Sequence, residues 1–560
     1  MELDRRNFLK GAAVVGGTAV VAGLTGCTPA GGTTTSSTTT ASSTVPQSWD
    51  EEHDLVIVGA GGAGLIAALS ATEADSSADI VILEKMATPG GSTILSGGNI
   101  GAMGTDNIKA YAASSGDPTY QDDTFEMYWQ DKMAAGCYLS DPDIARLFAY
   151  NSLDDFNWLE NLGITWTTTR PYESPVDMPS DFSKAPVLQS CQYLMTYDEN
   201  GKSSLVNRKV RYNTGSTYKD GTGGSANFQC LMDNVATKDN ITIVTNAPVT
   251  SIIREEPTSG DVLGVTATVS GKATAIRAKR AVIITAGGYA ANGAMISMYD
   301  PRIDPATTTS GGPGNTGDVM ISAQLIGAQT VNMQCIQCDF GGTVKEPSMS
   351  GGSSDSNPFG GPGDFIDVGK DGKRFWTEKA ADEQFEDAEL MTLHKMGYKS
   401  WWRLGDSQSV AKSRTQDNLD NFAKTYGSVC QSVPELATAI GCDAGTLQQT
   451  LDAYNGFVAA QMDTELGKSK AFLTHPINTP PYYVFEATYY CRTTPGGLRI
   501  NTDSVVLDLY GKPIPRLYAA GEATGNTHGR FRNNGGDSWC DMACFGRISG
   551  KNAAAEKPAS

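Results

Sequence analysis

The segment Asp54–Gly64, with the sequence DLVIVGAGGAG, constrains this chain more than any other stretch. It joins a short apolar run to Gly59, Gly61 and Gly64, which have the spacing G-x-G-x-x-G. This spacing is typical of a strand that turns sharply into a helix whose N-terminus binds a pyrophosphate. The first glycine permits the tight turn, the second lets the phosphate approach the backbone, and the third lets the helix pack against the strand. The segment predicts an α/β domain of Rossmann type that binds a dinucleotide.

The residues that follow favour a flavin dinucleotide over a nicotinamide one. A helix is predicted over Leu65–Ala74 and a second apolar strand over Asp79–Leu83, which ends in Glu84. An acidic side chain at that place binds the adenosine ribose. Glycines and hydroxyl side chains follow instead of another helix, and they suit a segment that lies along a flavin. The predicted cofactor-binding residues of this region are Gly59, Gly61, Gly62, Ala63, Gly64, Glu84, Lys85, Gly91, Ser92, Thr93, Ser96, Gly97 and Gly98.

Three later motifs complete a set that resembles a known family. Ala281–Gly288 reads AVIITAGG, Leu517–Thr524 reads LYAAGEAT, and Ser538–Ile548 is a predicted helix. From about residue 50 to residue 551, the chain resembles the FAD-dependent fumarate reductases and the flavoprotein subunits of succinate dehydrogenase. The resemblance points to the soluble fumarate reductase-like branch, which includes urocanate and hydroxycinnamate reductases and is related to the 3-ketosteroid dehydrogenases.

The resemblance implies an α/β fold, in which a Rossmann-like FAD-binding domain carries an inserted α+β capping domain. The FAD-binding domain would comprise residues 50–332 and 495–560, and the capping domain would comprise residues 333–494. FAD is the implied cofactor. The further cofactor-binding residues that the resemblance implies are Thr222, Gly223, Gly224, Ala286, Gly287, Gly288, Asp318, Gly521, Glu522 and Ser538.

The residues between the glycine motif Asp54–Gly64 and the AVIITAGG motif Ala281–Gly288 include a predicted helix and several predicted strands. The apolar stripe of Asp143–Leu162 is typical of a helix with one buried face. Ile241–Thr245, Val249–Arg254 and Val262–Thr268 read as strands of a small β-meander that leads to the AVIITAGG strand.

The first residues form an export signal rather than part of the fold. Arg5 and Arg6 belong to a twin-arginine pattern, and the apolar run Gly11–Leu24 is too short for a stable membrane span. The run ends in LTGC, which resembles a bacterial lipobox. We predict a signal peptide over residues 1–27, a lipid on Cys27 and a flexible Ser/Thr-rich tether over residues 28–49. The mature chain would then be a cell-envelope lipoprotein on the outer face of the bacterial membrane; the alternative is a cleaved signal in which Cys27 is accidental.

Charge and cysteine content narrow the set of partners. A net charge of −19 argues against nucleic acid and against a polybasic membrane patch. No C-x-x-C-H motif for a c-type haem occurs, so a separate donor protein or carrier must deliver electrons for a small organic acceptor. Cys335 and Cys338 form a single C-x-x-C, which suits a redox pair or buried free thiols better than a metal site.

The residues expected to perform the chemistry depart from the family pattern. Reduction of an activated C=C bond needs a hydride donor, an acid, and a clamp for the charge that develops. In the fumarate reductases the acid is an arginine soon after a G-K-R-F-x-x-E segment. This chain has the segment as Gly372–Glu378, but Asp382 stands at the arginine's position. The family's substrate histidines fall on Asp339 and near Thr493. Fumarate is therefore rejected as the substrate.

One substrate contact of the family is retained. Arg532, in the segment HGRFR, matches the arginine that binds the substrate carboxylate, and Arg492 and Arg530 could complete a cationic clamp. Tyr490 is the candidate acid, because a positive charge beside it could lower its pKa from the reference value near 10. The predicted catalytic residues are Arg532, Tyr490 and Arg492. The alternatives are a pairing or second-layer role for the arginines, an aromatic core role for the tyrosines, and Tyr489, Tyr483, Asp382 or His528 as the acid.

Three functions remain open from the sequence. The first is an exported FAD enzyme that reduces the C=C bond of an enoate-type acceptor by hydride transfer from flavin N5. The second is a dehydrogenase of the 3-ketosteroid type, which predicts an apolar pocket and little need for Arg532. The third is a non-catalytic, flavin-binding lipoprotein for electron relay, which would explain the lost acid.

Overall fold

The computed structural model describes the greater part of the chain after the export signal. The described residues are 45–106, 109–110, 113, 124–166, 193–197, 203–207, 212–213, 216–346, 355–361, 363–378, 386–468, 470–530 and 536–559. The signal peptide, the lipobox cysteine and most of the predicted tether lie outside them. Among the described residues, no helix is both long enough and apolar enough to cross a membrane.

Strands and helices alternate along the described chain. The strands are β1 (Glu51–Val58), β2 (Ile80–Leu83), β3 (Ile100–Gly101), β4 (Thr165–Trp166), β5 (Tyr193–Tyr197), β6 (Ser203–Asn207), β7 (Tyr212–Asn213), β8 (Ser216–Tyr218), β9 (Gly221–Thr222), β10 (Ile241–Val244), β11 (Val249–Glu256), β12 (Ser259–Val269), β13 (Lys272–Ile284), β14 (Thr330–Val331), β15 (Gln337–Thr343), β16 (Ile366–Val368), β17 (Ser400–Gly405), β18 (Ser428–Cys430), β19 (Tyr482–Thr493), β20 (Gly497–Leu498), β21 (Val505–Leu507) and β22 (Pro513–Ala519). The α-helices are α1 (Gly62–Ala74), α2 (Phe125–Ala135), α3 (Pro142–Asn161), α4 (Gly223–Val235), α5 (Gly293–Tyr299), α6 (Asp318–Leu325), α7 (Glu386–Met396), α8 (Gln416–Asn421), α9 (Val433–Ile440), α10 (Ala444–Ala460) and α11 (Asp537–Ala555).

The main sheet has a parallel centre and confirms the predicted α/β class. Its strands follow the order β10-β2-β1-β13-β12-β11. β22 also pairs with β13, and β21 pairs with β22. β10, β2, β1, β13 and β22 run parallel, whereas β11 and β12 continue β13 as an antiparallel meander. The apolar runs Leu55–Val58 and Ile80–Leu83 are buried throughout. Such continuous burial is expected of parallel strands that are covered on both faces.

The prediction that Ile241–Thr245 belongs to the meander is wrong. β10 lies beside β2 and runs parallel to it, so that Ile241 faces Ile80 and Val244 faces Leu83. An apolar run predicts a strand, but it carries no information about the partner strand.

The C-terminal helix packs against the glycine-motif helix. α11 continues seven residues beyond the predicted end at Ile548. A Cβ atom on Gly550 would lie 2.2 Å from the carbonyl oxygen of Ala67 on α1. Only glycine therefore allows the two helices to approach this closely, and their contact joins the two ends of the described chain.

A second sheet lies within the residue range predicted for the capping domain. Its order is β15-β19-β17-β16, and β18 also pairs with β19. β19 pairs antiparallel with β15, β17 and β18 along its twelve residues. Leu436 and Leu451, on α9 and α10, share a hydrophobic cluster with Leu404 and Val484 of this sheet. The exact domain boundaries stay a prediction.

Candidate active site

The carboxyl ends of the parallel strands meet at one edge of the main sheet. β1 is followed by the glycine turn and β2 by Glu84. β13 leads into the residues 286–288, and β22 leads into Gly521 and Glu522. In open α/β sheets, ligands bind outside this edge. Four distant stretches of predicted cofactor-binding residues are therefore brought together there.

The turn after β1 has the geometry that a phosphate-binding glycine turn requires. Gly59 has φ +105°, and a Cβ atom on it would lie 2.6 Å from the carbonyl oxygen of Thr285. A Cβ atom on Gly64 would lie 2.1 Å from the carbonyl oxygen of Gly59. The Leu65 N–H bonds to the Gly61 carbonyl at 3.1 Å and begins the helical ladder. The Gly62 N–H donates to a side chain, whereas the N–H groups of Ala63 and Gly64 have no carbonyl partner within the helix and can bind an anion.

Glu84 fixes the turn that lies beside it. It is 8% exposed, and its two carboxylate oxygens accept the N–H groups of Ala60 and Met86, each at 2.8 Å. A carboxylate oxygen can accept a second hydrogen bond. Glu84 could therefore hold the glycine turn and a ribose hydroxyl at the same time.

A hydrogen-bond network connects three further stretches around this edge. The Ser92 hydroxyl accepts the side-chain amide of Asn315 at 3.0 Å, and the same amide lies 3.3 Å from Glu522 Oε2. Glu522 Oε1 accepts the Thr493 hydroxyl at 2.7 Å and the Thr494 N–H at 2.9 Å. Through Thr493, the end of β19 is joined to the cofactor edge.

The hydroxyl segment after β2 is bonded to three helices. Thr93 Oγ1 accepts the N–H of Gly62, in the first turn of α1, at 2.9 Å. The Ser96 carbonyl accepts the N–H of Gly224 on α4 at 2.9 Å, and Ser96 Oγ accepts Trp539 Nε1 of α11 at 3.0 Å. This segment is therefore held in place before any cofactor binds.

The other predicted cofactor-binding residues lie in turns or at helix starts. Lys85 forms an ion pair with Asp318 at 3.1 Å, which ties the segment after β2 to the start of α6. Ser538 lies in the first turn of α11. The remaining predicted residues are buried Ala63, Gly98 and Gly288, half-buried Gly223, Ala286 and Gly287, and exposed Gly91, Gly97 and Thr222.

These residues fit FAD. The first turn of α1 offers N–H groups for a pyrophosphate, and Glu84 offers a carboxylate for a ribose. At Gly61 the nearest atom to a Cβ position is Thr93 Oγ1, 3.8 Å away, and at Gly91 no atom lies within 4 Å. The backbone is thus open to a ligand at both glycines.

Arg492 is the extra residue of a β-bulge beside this edge. The ladder between β15 and β19 steps from a Gln337–Thr493 pair to a Cys338–Cys491 pair. β-Bulges redirect a side chain and are common near active sites. The bulge therefore sets the direction of the guanidinium at the point where β19 reaches the Glu522 network.

The guanidinium of Arg492 binds Asp339 of the neighbouring strand. Arg492 Nη1 lies 3.1 Å from Asp339 Oδ1, and the two side chains are 26% and 11% exposed. Asp339 Oδ2 is buried, with no hydrogen-bond partner among the described residues. Tyr490 lies opposite Asp339 in the ladder and is fully buried. Asp339 is thus the ion-pair partner of Arg492 and the ladder partner of Tyr490, two of the three predicted catalytic residues.

The alternative acids among the tyrosines and histidine are buried, as Tyr490 is. Burial raises the pKa of Tyr489 and of Tyr483, away from the range of an acid that works near neutral pH. His528 is also buried, with Nδ1 against Lys132 Nζ and Nε2 3.8 Å from Asp541 Oδ2. Burial and then the charge of Lys132 lower the pKa of His528, which favours a neutral imidazole. This geometry favours the structural role over the acid for His528.

The retained G-K-R-F-x-x-E segment forms a buried ion network. Arg374 donates to both oxygens of Glu378, at 2.8 and 2.6 Å, and to Asp463 at 2.9 Å. Lys468 Nζ lies 3.6 Å from Glu378, and burial lowers the pKa of Lys468 to about 8. Arg374 and Glu378 thus bind each other and Asp463, whereas Lys373 of the same segment is exposed and lies outside this network.

Of the remaining candidates Arg530, Arg532 and Asp382, the described residues include Arg530 alone. Arg530 donates from Nη1 to the Gln334 carbonyl at 2.9 Å and is almost completely buried, which supports a second-layer role. Arg532 and Asp382 lie outside the described residues, so their roles stay predictions.

Sequence reasoning missed two residues of these networks. Asn315 joins Ser92 to Glu522, and the signal that could have found it is its place within the glycine-rich run Gly311–Gly317. Lys132 is fully buried and lies 2.7 Å from Asp537 Oδ2 at the start of α11. A lysine within an amphipathic helix gives no signal of its own, because most such lysines are exposed.

The fold and the site together define a flavoprotein oxidoreductase. Residues 54–537 match the model of the FAD binding domain family, and the chain belongs to that family. FAD is its cofactor. Residues 2–22 match the twin-arginine translocation pathway signal sequence, which confirms the predicted signal type.

Known relatives place the chain in the fumarate reductase-like group, as predicted. It is 30% identical over 526 residues to urocanate reductase of Eggerthella lenta, a match that covers 91% of this chain and 76% of that protein. It resembles the open conformation of a flavocytochrome c3 fumarate reductase with a TM-score of 0.70, at 26% identity, over 90% of this chain and 78% of that chain. The 3-ketosteroid delta1-dehydrogenase of Sterolibacterium denitrificans shares the fold, with a TM-score of 0.68 at 19% identity over 90% of this chain and all of that chain.

Proposed function

We propose that this protein reduces the C=C bond of an enoate-type acceptor other than fumarate. The observation that carries the proposal is the Arg492–Asp339 ion pair, held by a β-bulge one residue from the Glu522 network. It provides a cation for a carboxylate beside the cofactor edge. It also replaces the substrate histidine of the fumarate reductases with an acid that would repel a second carboxylate.

FAD supplies the hydride when it is bound. The proposed role of this chain's residues is to orient the acceptor and to provide a proton. Arg492, together with Arg532, binds the acceptor carboxylate and stabilises the negative charge that develops on it. Tyr490, which faces Asp339 across the ladder, is the proposed source of the proton.

The buried Asp339 Oδ2 narrows the proposed substrate class. A buried carboxylate oxygen without a partner favours a ligand that donates a hydrogen bond. An enoate with one carboxylate and a hydroxyl or N–H group therefore suits this ion pair better than a dicarboxylate does. Urocanate, named for one relative, and hydroxycinnamates carry both kinds of group.

The location of the reaction is part of the proposal. We infer that the twin-arginine signal exports the folded protein and that a lipid on Cys27 tethers it to the outer face of the membrane. A separate protein or carrier would then provide the electrons.

The test is anaerobic reoxidation of the dithionite-reduced, FAD-loaded protein, followed at the flavin absorption band. The acceptors are fumarate, urocanate, hydroxycinnamates, simple enoates and an enone steroid. Rapid reoxidation by a monocarboxylate enoate, with fumarate inert, is the expected result. A response to the steroid alone would favour the dehydrogenase alternative, and reoxidation by no acceptor would favour the electron-relay alternative.

A further inference from the structure

We propose that Cys338 and Cys491 form a dithiol site that a peroxide converts into a disulfide. The two residues are cross-strand partners in the ladder between β15 and β19, and their sulfur atoms lie 3.8 Å apart. Neither forms a disulfide in this structure. The C-x-x-C motif suggested Cys335 as the partner of Cys338, but the fold brings Cys491 to it instead.

The backbone at this position is already suited to a disulfide. The N–H of Cys491 donates to the Thr308 carbonyl at 2.9 Å, and its carbonyl accepts the N–H of Ser310 at 3.0 Å. Both groups point away from β15, so Cys338 and Cys491 are a non-hydrogen-bonded pair. Cα atoms of such pairs lie about 4.5 Å apart, within the range that a disulfide bridges. Rotation of the side chains can therefore close the bond without a shift of the strands.

The burial of the pair selects the oxidant. Cys338 and Cys491 are 1% and 0% exposed, so a protein or peptide disulfide cannot align with either sulfur. A peroxide is nearly as small as water and can enter through local opening of the sheet. One thiol attacks the peroxide oxygen, which gives a sulfenic acid and water. The second thiol then displaces that hydroxyl as water, so that two thiols are oxidised and one peroxide is reduced.

A disulfide between Cys338 and Cys491 would link β15 and β19 covalently next to the bulge. Arg492 follows Cys491 directly, and Asp339 follows Cys338 directly. A bond between the cysteines would fix the two strands at the step before the Arg492–Asp339 pair. The site is thus a modification site that acts on the position of one ion pair.

The experiment treats the FAD-loaded protein with hydrogen peroxide and counts free thiols after denaturation. We expect a loss of two thiols, a Cys338–Cys491 cross-linked peptide on non-reducing digestion, and full recovery with dithiothreitol. Cys338→Ser should give a dimedone adduct on Cys491 instead, and Cys491→Ser the converse. Cys430→Ser is the matched control, since Cys430 is a buried strand thiol of the same sheet that faces Tyr482.

The wild-type protein decides the outcome even if a variant fails to fold. An unchanged thiol count at a peroxide concentration that leaves FAD bound would overturn the proposal. A cross-link between Cys335 and Cys338 would also overturn it.

Discussion

Arg492 shows how one residue can carry more structural meaning than its sequence context suggests. The chain has many arginines, and an isolated arginine after two tyrosines and a cysteine predicts only a positive charge. The bulge and the ion pair with Asp339 give that charge a direction and a partner. The sequence could name Arg492 and Tyr490 as candidates, but it could not show the pairing, which depends on the register of two distant strands.

Arg492→Gln should raise the KM for a carboxylate acceptor about tenfold, corresponding to about 1.4 kcal/mol of lost binding. FAD content should stay unchanged, because Arg492 makes none of the contacts of the glycine turn. Steady-state kinetics of the loaded enzyme measure the effect. Arg499→Gln is the control, since that guanidinium bonds to Gln329 outside the bulge. Equal KM values for the Arg492 variant and the wild type would remove Arg492 from the site.

A second prediction at this scale concerns Asp155 and pH. Burial raises the pKa of Asp155 to about 7, although its Oδ1 contacts Arg547. The folded protein therefore binds a proton more tightly than the unfolded chain. The contribution of Asp155 to the free energy of unfolding is fully present below about pH 4. It is lost as the pH rises to about 7, by at most about 1.4 kcal/mol per pH unit. In urea unfolding between pH 4 and pH 8, the free energy of unfolding should decline less with pH for Asp155→Asn than for the wild type.

The matched control for Asp155 is its neighbour. Asp154 also pairs with Arg547, at 2.9 Å, but its side chain is 76% exposed. Asp154→Asn should keep most of the pH dependence of the wild type, because burial is the largest cause of the raised pKa of Asp155 and the charge of Asp154 is a smaller one. If the Asp155 variant declines as steeply as the wild type, the buried carboxyl is not the group that titrates.

At the scale of elements, local patterns predicted which strands and helices form better than they predicted which strands pair with one another. The glycine motif predicted β1, α1 and β2, because the turn, the helix and the acid each impose a separate constraint. β10 was assigned to the wrong neighbour, since its short sequence ITIV suits a parallel or an antiparallel position equally. β19 was not predicted as a strand, because a run with four tyrosines among apolar residues resembles any aromatic core segment.

The contact between α1 and α11 yields a prediction about packing. Gly550→Ala would place a methyl group against the Ala67 carbonyl and should cost about 1–3 kcal/mol of folding free energy. Thermal melting of the loaded protein measures it. Gly456→Ala is the contrasting change, because no atom lies within 4 Å of the Cβ position at that glycine of α10. It should raise stability by up to about 1 kcal/mol, and a similar decrease for both variants would contradict the packing argument.

At the scale of the whole molecule, cofactor binding depends on the carboxyl edge of the main sheet, to which distant stretches of the chain contribute residues. Glu84→Gln replaces a carboxylate that accepts two backbone N–H groups with an amide that has a single acceptor oxygen. We expect FAD affinity to fall about tenfold, or about 1.4 kcal/mol, in a titration of the apoprotein. Glu73→Gln, on the exposed face of α1, should leave the affinity unchanged. A normal affinity for the Glu84 variant would assign the ribose contact to another residue.

The family resemblance predicted the cofactor and the fold class of the whole molecule, but the substrate side only in outline. The FAD motifs are local and almost fixed in spacing. The proposed substrate side comprises residues of β15, β19 and the segment after residue 525, whose relative positions no local pattern encodes. Arg532 and the domain boundaries accordingly stay predictions.

The Ser92–Asn315–Glu522 network has a consequence for the order of events in the cell. It joins residues near the start, the middle and the end of the chain, and α11 must also reach α1 to complete the same edge. A ribosome releases these parts at very different times. The nascent chain therefore lacks a complete cofactor pocket until translation has almost finished, so flavin capture is post-translational. With the proposed export of the folded protein, FAD would bind after release from the ribosome and before passage through the export channel.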